Sequence, residues 1–277
     1  MRKFLGMVAV ACAVAVAGCS GGDGKAATGG SEAITVGFSQ VGAESEWRTA
    51  NTRSVKEALA APEFRLRFSD AQQKQENQIK ALRSFIAQRV DVISFSPVVE
   101  SGWETVLREA KAAGIPVVLT DRAVKVSDES LYATLIGSDF VEEGRRAARW
   151  LIDDSQGQPG PFRVVELQGT VGSAPANDRM RGFKEVLDGD SRFQVVRSQS
   201  GDFTRARGKE VMEAFLKAEA GSIDVLFAHN DDMAIGAIQA IEEAGLKPGQ
   251  DIRIVSIDGV RGAFEAMKAG KLNATVE

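Results

Sequence analysis

The stretch "DVISFSPVVESGWETVLREAKAAGIPVVLTDR", Asp91–Arg122, decides the fold class of this 277-residue chain. It contains two short apolar runs, "DVISFSPV" and "IPVVLTD", on either side of "GWETVLREAKAAG", which has helical periodicity. The apolar runs lack clean alternation, as expected for strands whose two faces are both covered by helices. The stretch therefore predicts a strand–helix–strand unit of a parallel sheet.

The same alternation of strand and helix continues on both sides of this unit. Within the predicted helix "KQENQIKALRSFIAQR", Ile79, Leu82, Phe85 and Ile86 lie on one face. We therefore predict a doubly wound α/β protein. The predicted strands are "ITVGFSQV", "FRLRFSDA", "DVISFSPV", "IPVVLTD", "YATLIGSD", "FRVVELQG", "FQVVRSQS", "DVLFAHN" and "IRIVSIDG".

The spacing of these elements predicts two lobes. The segment "AVKVSDES" interrupts the rhythm after Arg122, and a second series of strand–helix units begins beyond it. Two Rossmann-like lobes joined by a hinge near Leu135–Gly137 explain this spacing. We predict an N-terminal lobe over residues 34–135 and a C-terminal lobe over residues 136–277.

The first 33 residues are predicted to lie outside both lobes. "MRK" followed by "FLGMVAVACAVAVA" is typical of an export signal, over residues 1–18. "VAGC" resembles a bacterial lipobox, which predicts lipidation of Cys19; a plain cleavage site with an incidental cysteine is the alternative. Residues 19–33 are rich in Gly, Ser and Ala and predict a flexible tether. The mature protein is therefore expected to be exported and anchored to a membrane through its lipid.

Composition narrows the possible functions. The chain is 44% hydrophobic and 26% charged, which is typical of a globular protein with one large or two medium domains. The formal net charge of −4 becomes −6 when Arg2 and Lys3 leave with the signal peptide, so no global basic field indicates nucleic-acid binding. Both cysteines, Cys12 and Cys19, fall in the first twenty residues, and no thiol would remain for a disulfide or a metal.

Polar side chains are concentrated at the carboxyl ends of the predicted strands, where open α/β sheets bind ligands. Carboxylates accept two hydroxyl protons and arginine forks donate to hydroxyl and ring oxygens, so this chemistry suits a polyhydroxylated ligand. Any single Asp or Asn could instead be only a helix N-cap. The positions are Ser39-Gln40 with the loop to Arg48, Asp121-Arg122, Gln168, Ser200-Gly201-Asp202, Asn230-Asp231 and Asp258.

The single histidine, His229, lies in "LFAHNDDMAIGA" and raises the question of a metal or catalytic centre. One histidine without a mature cysteine does not supply the usual zinc ligands. The sequence contains no G-x-S-x-G or H-E-x-x-H motif. We therefore expect a structural histidine, no catalytic residue, no metal and no cofactor.

Several long motifs resemble a known family. "DAQQKQENQIKALRSFIAQ", "SQSGDFTRARGKEVMEAF" and "AHNDDMAIGAIQAIEEAGLKPGQDI" are similar to type I periplasmic sugar-binding proteins of ABC transporters, in the ribose/galactose-binding group, and especially to its galactofuranose-binding members. The resemblance implies a ligand held in a cleft between the lobes. Carried over by motif, it implies as ligand-binding residues Glu44, Trp47, Arg48, Asp121, Arg122, Arg179, Asp202, Phe203, Asn230, Asp258 and Glu277, with Gln40 a further candidate.

The resemblance implies a monomeric solute-binding lipoprotein that delivers a monosaccharide to an ABC permease. A sugar sensor that presents its ligand to a membrane receptor is an alternative. So is a LacI-type regulator, which would need a helix-turn-helix where the export signal lies. A carbohydrate-active enzyme using Asp121 and Asp258 as paired carboxylates is another. Family members continue beyond the equivalent of Glu277, so we expect the C-terminal part, about 20–40 residues, to be missing from this chain.

Overall fold

A computed structural model describes residues 32–219 and 221–277. The predicted signal peptide, the lipidation site at Cys19 and all but the end of the predicted tether lie outside the described residues. Within them, no helix is both long enough and apolar enough to cross a membrane.

The first lobe is built on a five-stranded parallel sheet with the strand order β2-β1-β3-β4-β5. Because every pair is parallel, all five strands end at the same edge of the sheet. A 3₁₀ turn at Glu129–Leu131 precedes β5. The elements are β1 (Ile34–Gln40), α1 (Glu46–Ala58), β2 (Phe64–Asp70), α2 (Gln75–Ala87), β3 (Val92–Phe95), α3 (Glu104–Ala112), β4 (Val117–Thr120) and β5 (Thr134–Ile136).

The second lobe has the same construction. Its five-stranded parallel sheet has the order β10-β9-β8-β6-β7. The elements are α4 (Phe140–Asp154), β6 (Phe162–Gln168), α5 (Ala174–Leu187), β7 (Phe193–Ser200), α6 (Arg205–Glu219), β8 (Val225–Ala228), α7 (Asp231–Glu243), β9 (Arg253–Ile257), α8 (Arg261–Lys268) and β10 (Ala274–Val276).

Each lobe has its own apolar core. In the first lobe, Leu82 and Phe85 of α2 are buried against the sheet, and Phe95 packs on Trp103 with ring centroids 4.9 Å apart. In the second lobe, helices cover both faces of the sheet, which gives two separate buried clusters. This double coverage explains why the strands are apolar without alternation, and it confirms the prediction of a two-lobed α/β fold.

Several helices begin after strand ends through conventional N-caps. The side chains of Ser45, Asp139 and Asn230 each accept a hydrogen bond from a backbone N–H in the first turn of α1, α4 and α7. The helices are thereby fixed at the carboxyl edges of the sheets. The chain passes from the first sheet to α4 through residues 137–139, a connection that overlaps the predicted hinge; the predicted lobe boundaries themselves stay a prediction.

Candidate functional site

The carboxyl edges of the two sheets enclose a small cavity between the lobes. Its volume is about 60 Å³ in this arrangement of the lobes. Asp121 follows β4, Asn230 closely follows β8, and Asp258 follows β9, so strand ends from both lobes contribute to it. The residues that line it are Glu44, Ser45, Trp47, Arg48, Asp121, Arg122, Ser138, Phe140, Glu143, Pro175, Arg179, Phe203, Asn230, Asp258, Val276 and Glu277.

Ten of the eleven candidate residues from the sequence line this cavity, and Asp202 is the exception. Its carboxylate accepts a hydrogen bond from Ser200 Oγ at 2.9 Å and lies 3.9 Å from Arg207 Nε. Its half-exposed side chain therefore belongs to the turn before α6. Gln40 does not line the cavity either; its amide contacts Asn51 and Thr52.

The first lobe contributes a buried cluster of two carboxylates and two arginines. Glu44 lies 2.5 Å from Arg122 Nη2 and 3.5 Å from Arg48 Nε. Asp121 pairs with Arg48 Nη2 and lies 3.7 Å from Arg122 Nε. Each carboxylate thus bridges both guanidinium groups, which fixes the two arginines side by side at the cavity wall.

Arg122 retains donors that the described part of the chain does not satisfy. Among residues 32–219 and 221–277, its Nε and Nη1 atoms have no hydrogen-bond partner, although the residue is only 2% exposed. Burial lowers the pKa of Arg122, against the opposing effect of Glu44. A buried donor without a partner is costly, so a ligand oxygen that accepts from Arg122 would be strongly favoured.

The second lobe holds a third arginine in a similar way. Arg179 donates from Nε to Glu143 Oε2 at 2.8 Å and from Nη1 to the His229 carbonyl at 2.6 Å. Its Nη2 lies 3.4 Å from Asp258 Oδ1. Desolvation raises the pKa of Asp258 well above its ordinary value, with Arg179 acting in the opposite direction and Glu143 adding to the rise.

Phe203 supplies an aromatic wall between the arginines. The Arg122 guanidinium lies 5.1 Å from its ring centroid, and the Arg179 guanidinium lies 6.0 Å away. The ring can occupy this place because residue 169 is glycine: a Cβ there would come within 1.9 Å of Phe203 Cζ. Trp47 and Phe140 are the other aromatic residues of the lining.

Three cavity residues have backbone conformations that side chains usually avoid. Asp121 and Phe203 have φ of 64° and 60°, and Asp258 has φ of 120°. Such conformations cost about 1–3 kcal/mol each and are found preferentially at functional sites. Their presence on the cavity wall supports a ligand-binding role for this edge of the sheets.

His229 is fully buried and is not among the residues that line the cavity. Its Nδ1 accepts from Gly169 N at 3.3 Å, so its proton is on Nε2, which lies 2.9 Å from Glu166 Oε1. Its carbonyl supports Arg179, as described above. Within the described ranges, no group of three or more His, Cys, Asp or Glu residues is arranged to hold a metal ion.

The sequence did not identify six lining residues, Ser45, Ser138, Phe140, Glu143, Pro175 and Val276. Glu143 is the most important chemically, because it is buried against Arg179. In "FVEEGRRAARW" it is indistinguishable from the exposed charges of a surface helix. The neighbouring Gly144, together with Gly182 in α5, is the signal of a close helix contact that the sequence offers.

The lobes contact each other on both sides of the cavity. The backbone N–H of Glu46 donates to Asp232 Oδ2 at 2.6 Å, and Asn177 Nδ2 donates to Glu100 Oε2 at 2.7 Å. Glu100 N also donates to Gly172 O at 2.8 Å. These bonds join the two lobes around the cleft, so the structure represents a closed arrangement.

Two parallel-sheet lobes closed over a polar cleft define a two-lobed α/β binding protein. Residues 36–276 match the family model described as periplasmic binding protein domain, and the chain belongs to this family. This membership implies an extracytoplasmic location.

Characterised relatives have a high similarity to the chain. The galactofuranose-binding protein YtfQ of Escherichia coli is 55% identical, over 88% of this chain and 77% of its own. The binding component of the arabinose ABC transporter of Shewanella, solved with α- and β-L-arabinofuranose, is 58% identical with a TM-score of 0.85; the match covers 88% of this chain and 80% of that one. A Mycobacterium smegmatis protein solved with β-D-fucofuranose is 55% identical with a TM-score of 0.85, over 87% and 79% of the two chains.

Proposed function

We propose that this chain captures a monosaccharide in its furanose form in the interlobe cleft and delivers it to an ABC permease. The observation that carries the proposal is that ten of the candidate ligand-binding residues line one cleft between the lobes. The family to which the chain belongs, that of periplasmic binding proteins, agrees with this use of the cleft. The named ligands of the similar proteins, galactofuranose, fucofuranose and arabinofuranose, support a furanose.

The chemistry of the cleft fits a sugar. Hydroxyl groups both donate and accept, and the cleft offers carboxylate acceptors at Asp121 and Asp258 together with the unsatisfied donors of Arg122. The Phe203 ring offers an apolar surface for the C–H face of a sugar ring. A small polyhydroxylated ring meets all three requirements, whereas an apolar ligand would leave buried charges unpartnered.

The proposed delivery depends on the lobes closing around the ligand. Arg122 and Asp121 belong to the first lobe, and Arg179 and Asp258 to the second. A sugar that contacts both sets stabilises the closed arrangement, whose surface a permease can distinguish from the open one. We also propose that the mature protein is monomeric and is anchored to the membrane by lipid on Cys19, as the lipobox-like sequence predicts.

A thermal-shift screen of the intact chain against pentoses and hexoses tests this function. A ligand at about 100 times its Kd adds about 2.7 kcal/mol of stability to the folded state. We expect selective stabilisation by sugars that form the galacto- or arabino-configured furanose. Chromatography of the recovered ligand should show it unchanged, whereas conversion to a product would favour the enzyme alternative, and no stabilisation by any sugar would refute the proposal.

A further inference from the structure

The helices α4 and α5 cross unusually closely beside the cleft. A Cβ added at Gly182 would lie 1.9 Å from Val141 O, and one at Gly144 would lie 2.2 Å from Arg179 O. Both glycines therefore allow backbone-to-backbone contact that no side chain could permit. This contact places the cleft-lining face of α4 directly against Arg179 of α5.

The close crossing brings the Glu143 carboxylate onto the Arg179 guanidinium. Glu143 is 8% exposed and its Oε2 accepts from Arg179 Nε at 2.8 Å. Since Nη1 donates to the His229 carbonyl and Nη2 faces Asp258, three different elements hold the three nitrogens of the guanidinium. Glu143 is the partner that fixes the Nε side, and hence the plane of the group.

Glu143 gives the charged groups of the cleft an excess of acids over arginines. Four buried or largely buried carboxylates, Glu44, Asp121, Glu143 and Asp258, face the three arginines Arg48, Arg122 and Arg179, and the exposed Glu277 is a fifth acid of the lining. Every arginine has a carboxylate within 4.0 Å. A ligand carboxylate would therefore meet no uncompensated cation and would add a negative charge to a buried acidic cluster, which is strongly unfavourable.

We propose that Glu143 is a positioning residue that orients Arg179 toward the sugar and makes the cleft select neutral sugars over sugar acids. The inference rests on the proposed sugar-binding function. Glu143 occupies the first turn of α4, next to the connection between the lobes.

The test compares the binding of D-galactose and D-galacturonate, which differ by a carboxylate at C6. Calorimetry on the intact wild-type chain gives the ratio of the two Kd values. In Glu143→Gln this ratio should shift toward galacturonate by at least about tenfold, because the cleft loses one negative charge that repels the ligand carboxylate and Arg179 loses the closer of its two carboxylate contacts, Asp258 remaining at 3.4 Å. Glu142→Gln is the matched control: Glu142 is adjacent on α4, but its carboxylate pairs with Arg146 and Arg149 away from the cleft, and its ratio should equal that of wild type.

Glu143→Asp separates positioning from charge and does not depend on the folding of Glu143→Gln. The shorter carboxylate keeps the charge but cannot reach Nε in the same geometry, so galactose should bind more weakly while the ratio stays as in wild type. Two results would overturn the inference and leave the proposed function standing. The first is a ratio of galactose to galacturonate Kd in Glu143→Gln equal to that in Glu142→Gln. The second is a galactose affinity in Glu143→Asp equal to that of wild type. Failure of the wild-type protein to bind galactose or any sugar of the screen would overturn the proposed function and the inference together.

Discussion

Replacement of Arg122 by methionine should separate the stability of the protein from its affinity for sugar. Arg122 is buried, and two of its nitrogens have no hydrogen-bond partner in the part of the chain that the structure describes, so they are available to a ligand in the cleft. A hydrogen bond to a charged donor contributes about 1.5–3 kcal/mol. Loss of two such bonds would cost about 3–6 kcal/mol of binding free energy, and Kd should rise at least about 100-fold.

The same substitution should cost the ligand-free protein little once its partner is also neutralised. Arg122→Met alone leaves the Glu44 carboxylate with the 3.5 Å contact to Arg48 Nε and a 3.4 Å hydrogen bond from Gln73 Nε2, so some loss of stability is expected. The double variant Glu44→Gln with Arg122→Met removes both charges, and its free energy of unfolding should be at least that of wild type, because buried ion pairs replaced by neutral groups are often neutral or stabilising.

Calorimetric titration with the sugar found in the screen measures the affinity, and urea unfolding without sugar measures the stability. Arg108→Met controls for the general effect of removing a positive charge, because Arg108 is an exposed arginine of α3 that pairs with Glu104. A Kd within threefold of wild type in both cleft variants would refute the assignment of the Arg122 donors to the ligand.

Three further predictions follow from other features. Asp258→Asn should raise the melting temperature of the ligand-free protein at neutral pH. Desolvation raises the pKa of Asp258 well above 3.8. The stability that the protonated form contributes to the folded protein is therefore fully present below pH 3.8 and is lost as the pH rises through the folded-state pKa. Melting curves should show that the increase in melting temperature of Asp258→Asn over wild type grows as the pH rises from 3.8 through the folded-state pKa. An increase that does not depend on pH would contradict desolvation of Asp258 as its cause. Gly182→Ala should lower the free energy of unfolding, measured with denaturant, by about 1–3 kcal/mol or more, because its Cβ would overlap Val141 O. Gly189→Ala is the control and should change stability little, since the nearest atom to its Cβ would be 3.3 Å away. Equal effects of the two substitutions would refute the close crossing of α4 and α5. Cys19→Ala should move the protein from the membrane to the soluble export fraction. A wild-type protein that is already soluble and carries no lipid would refute the predicted lipid anchor.

Much of the fold could be predicted from the sequence because periodicity is a local property. The apolar strands and the face formed by Ile79, Leu82, Phe85 and Ile86 depend on spacing alone, and the buried positions of Leu82 and Phe85 agree with it. The rule that parallel strands end at one edge then placed Asp121 and Asp258 each at the carboxyl edge of its own sheet, and the family resemblance implied that the two edges face one cleft.

The remainder of the site depends on contacts between distant segments. Glu143 reaches the cleft because Gly144 and Gly182, which are 38 positions apart in the sequence, allow α4 and α5 to pack backbone against backbone. Asp202 has the polar chemistry of a ligand-binding residue, but its left-handed backbone and its bond with Ser200 turn the side chain away from the cavity. Neither outcome follows from residue type or spacing within one element.

The proposed capture of an unmodified furanose is tested most directly by NMR of ¹³C-labelled D-galactose with the intact chain. Galactose in water is mainly pyranose, so the ring form retained by the protein after removal of free sugar reports what the cleft selects. We predict that one sugar per chain is retained, in the furanose form and chemically unchanged. Retention of no sugar, retention of the pyranose alone, or conversion of the sugar to a product would contradict the proposal.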